Sequence, residues 1–591
     1  MSEFWDNLIS LKPSLSGEQT AGWHPGRMAM SGLGCRLLAD QRIPVEGRVH
    51  LSADVYIPRT AGCYPAVVQF AAYTPELHTA GVPTGTNEIG SPPVFTDRGY
   101  AQVVIVRRGM GRSEGESGVF FGSKDVEDHE SCIAWAASQP WCDGNVVLFG
   151  TSYYGMTQLQ VAVRRPPALK AFFCNEVCTD YFRQIVQFGG TPALYFIGLW
   201  MGANFTEQMR RLRVPPLVRA LLSRLTNSWL KSFWEPQVLK RVDAIYRAFM
   251  RKTPMRPVRA IYVEWMIDGK TRESSTMPAG PYESLAEIEV PFVVVQNLGY
   301  FNLHQFGAYD LFEHAGTPAD RKWLILGPAR YELPVYAWQL EALAFFDHVL
   351  RGTDNGYAGQ APVRYWVEGA ERYKPAAAFP VPDSTPQRFY LSSGGDDSAN
   401  HGMKREAPGD RSTNNWAAIP LGAPVVGGLD EVTNQTLIYD KRVEEDVEYA
   451  GPITVHLRFS CNEIDSHVVT RLSRIAADGS FHILSLGTIS PARRRLDEAR
   501  STSCEIAIDT TRPEPLVPGE PVSLAFSMTP APTLLRKGET LRFHIASRTD
   551  LLKHDVSHGF VHFNLQVPPY FSRNTVHYGP DTYFELHRVS R

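Results

Sequence analysis

The stretch Asn145-Val146-Val147-Leu148-Phe149-Gly150-Thr151-Ser152-Tyr153-Tyr154-Gly155-Met156 decides the fold. A β-branched, apolar run enters Gly-x-Ser-x-Gly, and a helical pattern comes after it. Glycines are needed on either side of the serine because the strand-to-helix turn is too tight for side chains there. The serine itself is expected in a strained backbone conformation with its hydroxyl turned outward. The backbone N–H of Tyr153 would then point at any negative charge developing on a carbonyl oxygen attacked by Ser152.

Working outward, the elbow lies in an alternation of short strands and helices. Arg48 to Ile57 alternates apolar and other residues as a half-buried strand does, with Pro58 at its end. Ala66 to Phe70 and Ala101 to Val106 are short and rich in β-branched residues, as buried strands of a mostly parallel sheet are. Asp125 to Gln139 reads as a helix with acids at its start. Residues 181–285 break the pattern with a helical, aromatic-rich composition that suits an inserted cap. The α/β pattern resumes over 286–370, with strands expected at Pro291–Val295 and Trp323–Leu326. From 371 to 591 short alternating runs recur between Gly, Pro, Asn and Asp, among them Gln387–Leu391, Ile453–Phe459, Val522–Met528 and Leu541–Ser547. These predict an antiparallel sandwich or jelly roll. The core's first part is expected over 46–180, and residues 1–45 carry no clear pattern.

A chain of 591 residues is too long for one core, in keeping with this division. Hydrophobic residues at 43% and charged residues at 20% are ordinary for a globular protein, and a net charge of −3 gives no case for nucleic acid or an acidic membrane surface. No apolar run is long enough to span a bilayer, and the N-terminus lacks a signal peptide's basic segment and apolar core. The expected setting is cytoplasmic, with the eight cysteines reduced. Cys174 and Cys178 lack the further ligands of a zinc site, and there is no phosphate loop or dinucleotide fingerprint, so no cofactor or metal is expected. The expected partner is a small-molecule substrate. Homo-oligomerisation stays open.

Gly-Thr-Ser-Tyr-Tyr-Gly at 150–155 resembles the serine elbow of the cocaine esterase, α-amino acid ester hydrolase and X-prolyl dipeptidyl peptidase family. Trp135 with Gln139-Pro140-Trp141-Cys142-Asp143-Gly144 is similar to the family's helix-turn before the elbow. Arg107-Arg108-Gly109-Met110-Gly111 resembles its Arg-Gly loop, and Phe345-Phe346-Asp347-His348-Val349-Leu350-Arg351-Gly352 its closing helix. The resemblance covers about residues 45–591. It implies an α/β-hydrolase core, a helical cap and a C-terminal all-β jelly roll, acting on esters or amides of small acyl or amino-acyl groups. It further implies Ser152 as nucleophile, the Tyr153 N–H as one oxyanion donor and the Tyr73 hydroxyl, just past the strand at 66–70, as the other. Glu176 and Asp180 are candidate acids for a substrate amine.

The family's triad is altered. Where it has Gly-Trp-Tyr-Asp this chain reads Gly299-Tyr300-Phe301-Asn302, and where it has Gly-Pro-Trp-x-His this chain reads Gly327-Pro328-Ala329-Arg330-Tyr331. Asn302 and Tyr331 thus stand at the acid and base positions. Asparagine cannot balance an imidazolium, and a serine hydroxyl is a poor nucleophile without a base. Four readings compete. His304 or His78 serves as a displaced base. Tyr331 is itself the base, its phenol lowered by a cation such as Arg330. The fold serves acyl transfer, cyclisation or carbon–carbon bond chemistry, where weak water activation is an advantage. Or the pocket only binds a ligand.

Overall fold

The computed structural model describes residues 35–74, 86–90, 92–191, 278–297, 304–328, 335–394, 401–409, 411–419, 435–548 and 568–590. The residues expected to form most of the cap, 192–277, lie outside this set, as do His78, Asn302 and Tyr331.

Ten strands form the first sheet: β1 (Cys35–Val45), β2 (Val49–Pro58), β3 (Tyr64–Ala71), β4 (Ala101–Val106), β5 (Cys142–Thr151), β6 (Leu169–Asn175), β7 (Phe292–Asn297), β8 (Lys322–Gly327), β9 (Val363–Val367) and β10 (Arg372–Ala376), in the order β1-β2-β4-β3-β5-β6-β7-β8-β9-β10. From β4 to β9 every pair is parallel, and the flanking pairs β1/β2, β2/β4 and β9/β10 are antiparallel. The central strands carry apolar side chains on both faces, which is why they read as continuous runs. Val146, Leu148, Phe172, Val294 and Leu324 join one core with Cys132, Ile133 and Ala136 of helix α1 (Ser123–Ala137) and Leu159 and Val161 of α2 (Tyr153–Ala162). Val147, Phe149, Phe173, Val293 and Ile325 point the other way, onto Trp338, Leu343, Phe345 and Phe346 of the helix Val335–Arg351.

The mostly parallel sheet has β5 near its middle, so the carboxyl end of β5 opens at the centre of the sheet edge where α/β proteins bind ligands. Strand β1, which the sequence left without a pattern, pairs with β2 from Cys35 to Val45, with a bulge between Leu38 and Gln41, and forms the sheet's outer edge. Beyond residue 376 the described chain forms a thirteen-stranded β domain. It includes Ser384–Ser392, Ile453–Cys461, Val522–Met528 and Thr540–Ala546, close to the runs expected from alternation. Its inward side chains, such as Leu391, Val455, Phe526, Phe543 and Phe584, build a separate core. No described helix is long and apolar enough to cross a membrane.

Candidate active site

Ser152 leaves β5 at φ 57° and ψ −119°, a conformation costly for a residue with a Cβ. Two backbone bonds hold it there. Its N–H donates to the Asn175 carbonyl at the end of β6 (2.9 Å), and its carbonyl accepts the Met156 N–H that opens α2 (2.7 Å). The flanking glycines are required by space. A Cβ on Gly150 would collide with Cβ of Tyr154, and one on Gly155 would lie 2.9 Å from Val177 Cγ1 and 3.0 Å from the Asn175 carbonyl oxygen. Tyr153 is the first residue of α2, so its N–H is among those the helix leaves without an internal acceptor.

The Ser152 hydroxyl oxygen lies 3.2 Å from Nε2 of His304. The histidine comes from the connection after β7 and is buried. Burial pushes its pKa down to about 3, so the ring is neutral over the physiological range. For the serine to donate to Nε2, the ring proton must sit on Nδ1, a tautomer assigned from this geometry. His304 itself has φ 58° and Phe306 has φ 71°, immediately before helix α3 (Gly307–His314).

Tyr73, at the exit of β3, is buried with its ring 5.8 Å from both Tyr153 and Tyr154, so it forms part of the wall behind the elbow. Phe121 stacks on Tyr153 at 4.3 Å. Glu176 is buried after β6, where its carboxylate accepts the Asn297 backbone N–H and a 3.0 Å bond from Gln296 Nε2. Burial pushes this carboxyl well above the usual range, while the two bonds oppose that rise. Its visible work is to tie the end of β6 to the end of β7. Asp180 faces the C-terminal domain, with Oδ2 3.6 Å from Arg500 Nε. Both acids therefore have structural partners. Among the described residues no cluster of three or more His, Cys, Asp or Glu could hold a metal ion.

In the sequence His304 stands out only as one displaced histidine, with its place two residues beyond Asn302 as the signal. Asn302 and Tyr331, the residues at the expected acid and base positions, are outside the described set.

The profile of the X-Pro dipeptidyl-peptidase (S15 family) matches residues 46–331, and that of the X-Pro dipeptidyl-peptidase C-terminal non-catalytic domain matches 355–553. The chain belongs to the cocaine esterase and X-Pro dipeptidyl-peptidase family of α/β hydrolases. It is 25% identical over 497 residues to the cocaine esterase of Rhodococcus sp. (strain MB1 Bresler), covering 76% of this chain and 82% of that one. Its fold is similar to a CocE/NonD family hydrolase from Staphylococcus aureus (TM-score 0.71, 19% identity, 94% of both chains). It is also similar to an α-amino acid ester hydrolase (TM-score 0.64, 16% identity, 98% of this chain and 100% of that one). As a family member the protein is an enzyme of the hydrolase class.

Proposed function

We propose that the protein is a serine-dependent hydrolase or acyl-transfer enzyme acting on an ester, amide or related acyl group of a small molecule, with Ser152 as nucleophile and His304 as its base. The observation that carries this reading is the 3.2 Å separation between Ser152 Oγ and His304 Nε2. A base must reach the proton it removes, and this histidine does. As Oγ bonds to the acyl carbon, its proton passes to Nε2 and the carbonyl electrons move onto oxygen. The Tyr153 N–H and the Tyr73 hydroxyl are the proposed donors to that oxyanion. Collapse expels the leaving group, which takes the proton from Nε2. The acyl group then leaves Ser152 for water or another acceptor.

A buried imidazole with a depressed pKa is a weak base in the resting enzyme, but its conjugate acid is a strong donor to the leaving group. The ester or amide class is taken from the relatives named above. On this reading neither Asn302 nor Tyr331 serves as the acid or the base.

The test is the rate of covalent labelling by a fluorophosphonate, read by intact mass. Wild type should gain one adduct, and Ser152→Ala none. His304→Gln should label at least ~100-fold more slowly, the usual scale for losing a general base. Tyr331→Phe should stay within a few-fold of wild type. Equal labelling of wild type and His304→Gln, with loss in Tyr331→Phe, would transfer the role of base to the tyrosine.

A further inference from the structure

We propose that Glu505, in the C-terminal β domain, is a positioning residue for His304, acting through Arg183 and Asp310; this rests on the Ser152–His304 reading above. His304 and Phe306 are both non-glycine residues at positive φ, and such a pair persists only where the surroundings fix it. Helix α3 begins at the next residue, Gly307. A Cβ on Gly307 would collide with the Val177 carbonyl oxygen, so the helix backbone lies directly against the segment leaving β6. In the first turn of α3, the fully buried Asp310 is bonded back to that same segment. Its Oδ2 accepts from Thr179 Oγ1 (2.5 Å), Gln184 Nε2 (2.6 Å) and Arg183 Nη2 (2.7 Å).

Arg183 is one of several links between the domains, beside bonds such as that from the Ser490 N–H to the Gly189 carbonyl. While Nη2 binds Asp310, Nη1 donates to the carboxylate of Glu505 in a buried ion pair. Glu505 is fixed on its own domain by its backbone N–H, which donates to Thr502 Oγ1 at 3.1 Å, and its carbonyl, which accepts the Thr502 N–H at 2.9 Å. The Tyr282 ring lies 5.6 Å from the Arg183 guanidinium carbon and 5.4 Å from that of Arg500. Arg183 is held charged by Asp310, Glu505 and Asp180 against the cost of burial.

A guanidinium that bonds two carboxylates in a fixed fork sets the distance between them. Removing Glu505 leaves Arg183 with an unmet demand that its remaining bonds to Asp310 and Asp180 must absorb by moving. Asp310 is six residues from His304, in the helix whose start fixes the histidine's backbone. Small displacements of a catalytic base carry large rate penalties.

The test compares full-length wild type with Glu505→Ala, Glu505→Gln and, as a control in the same domain, Asp446→Asn in the exposed Arg536–Asp446 pair. Two quantities are read. The first is fluorophosphonate labelling of Ser152, resolved into the maximal rate constant and the half-saturating concentration. The second is hydrogen exchange in peptides covering residues 304–314. Glu505→Ala should lower the maximal rate constant about tenfold or more with the half-saturating concentration unchanged, and speed exchange in those peptides. Glu505→Gln, which keeps an acceptor for Arg183, should recover part of both, and it carries the test should the alanine variant fail to fold. Asp446→Asn should match wild type. Faster exchange with an unchanged rate constant would reduce Glu505 to a purely structural contact and overturn the proposal, as would no change in either. If wild type does not label, or His304→Gln labels like wild type, the Ser152–His304 reading fails first and this proposal falls with it.

Discussion

Ser152 and His304 face each other with Oγ and Nε2 3.2 Å apart, and both stand at positive φ, 57° and 58°. Ser152 directly follows β5 and His304 comes from the connection after β7, with β6 between those two strands. Glu176 at the end of β6 bonds the last residue of β7, Asn297. The histidine thus reaches the serine from the connection where the family resemblance put the acid, Asn302, and not from the later one that carries Tyr331.

The burial of His304 has a kinetic consequence. With His304 as the proposed base, which works only when deprotonated, activity is lost as pH falls through its pKa in the free enzyme. Burial holds that pKa down at about 3. The rate of Ser152 labelling should therefore be flat from about pH 5 to 8, without the inflection near 6.5 that a solvated imidazole gives. A half-maximal rate between pH 6 and 7 would mean that the ring is hydrated in the working enzyme. The profile should be measured on wild type with Tyr331→Phe beside it.

The elbow glycines should not tolerate even a methyl group. In Gly150→Ala the new carbon would fall on Cβ of Tyr154, part of the first turn of α2, so the turn must open to admit it. Labelling should fall ~100-fold or more. Gly155→Ala meets Val177 Cγ1 at 2.9 Å and the Asn175 carbonyl oxygen at 3.0 Å. That carbonyl is also the acceptor for the Ser152 N–H. Overpacking of this kind costs about 1–3 kcal/mol, to be read as a lower urea midpoint. Unchanged labelling in Gly150→Ala would show that the turn is looser than this geometry.

Much of the fold was legible because burial on both faces of a parallel sheet leaves runs such as Val146-Val147-Leu148-Phe149, whose β-branched residues and the Gly150 that ends them favour a central strand. The β-domain strands were legible through alternation, with Val522–Met528 at the expected residues. Strand β1 was not, because Cys35–Val45 is an edge strand with few fully buried side chains and so carries little alternation. Ser152 was legible because the elbow needs glycine at fixed spacing. His304 was visible only as one histidine among several. Its placement depends on two residues at positive φ, His304 and Phe306, and neither residue type signals that conformation in sequence. The Arg183–Asp310–Glu505 network joins residues more than 120 and 300 positions apart and has no local pattern at all.

The Arg-Gly loop should prove to be a stability determinant. Arg107 is buried with Nε 2.9 Å from Asp125 Oδ1, and its Nη2 donates to the Gly118 and Val119 carbonyls at 3.3 and 3.2 Å. The guanidinium also lies 4.8 Å from the Phe120 ring centre. Arg107→Ala leaves the Asp125 carboxylate buried without its counter-ion, a change that costs about 3–5 kcal/mol. Denaturant unfolding should show this loss. A cost under about 1 kcal/mol would mean that water enters to replace the guanidinium.

His129 of α1 isolates the pH dependence of a buried histidine from any catalytic role. Its ring stacks on Phe70 of β3 with centroids 4.8 Å apart. Burial, partly opposed by the Thr157 backbone, pushes its pKa down to about 3, against about 6.5 unfolded. A group depressed in the folded state contributes stability that is fully present above its unfolded pKa and is lost as pH falls towards the folded one. His129→Phe keeps an aromatic ring against Phe70 and removes the titration. Relative to wild type, the variant should gain about 1.4 kcal/mol per pH unit as pH drops from 6.5, reaching ~3 kcal/mol near pH 4.5. Above pH 7 the difference should be constant, whatever offset the larger ring introduces. The urea midpoints of both proteins across pH 4.5–8 measure it, and the slope decides the matter. Parallel curves throughout would show that His129 exchanges its proton in the folded protein as freely as in the unfolded chain, which a sealed contact with Phe70 does not allow.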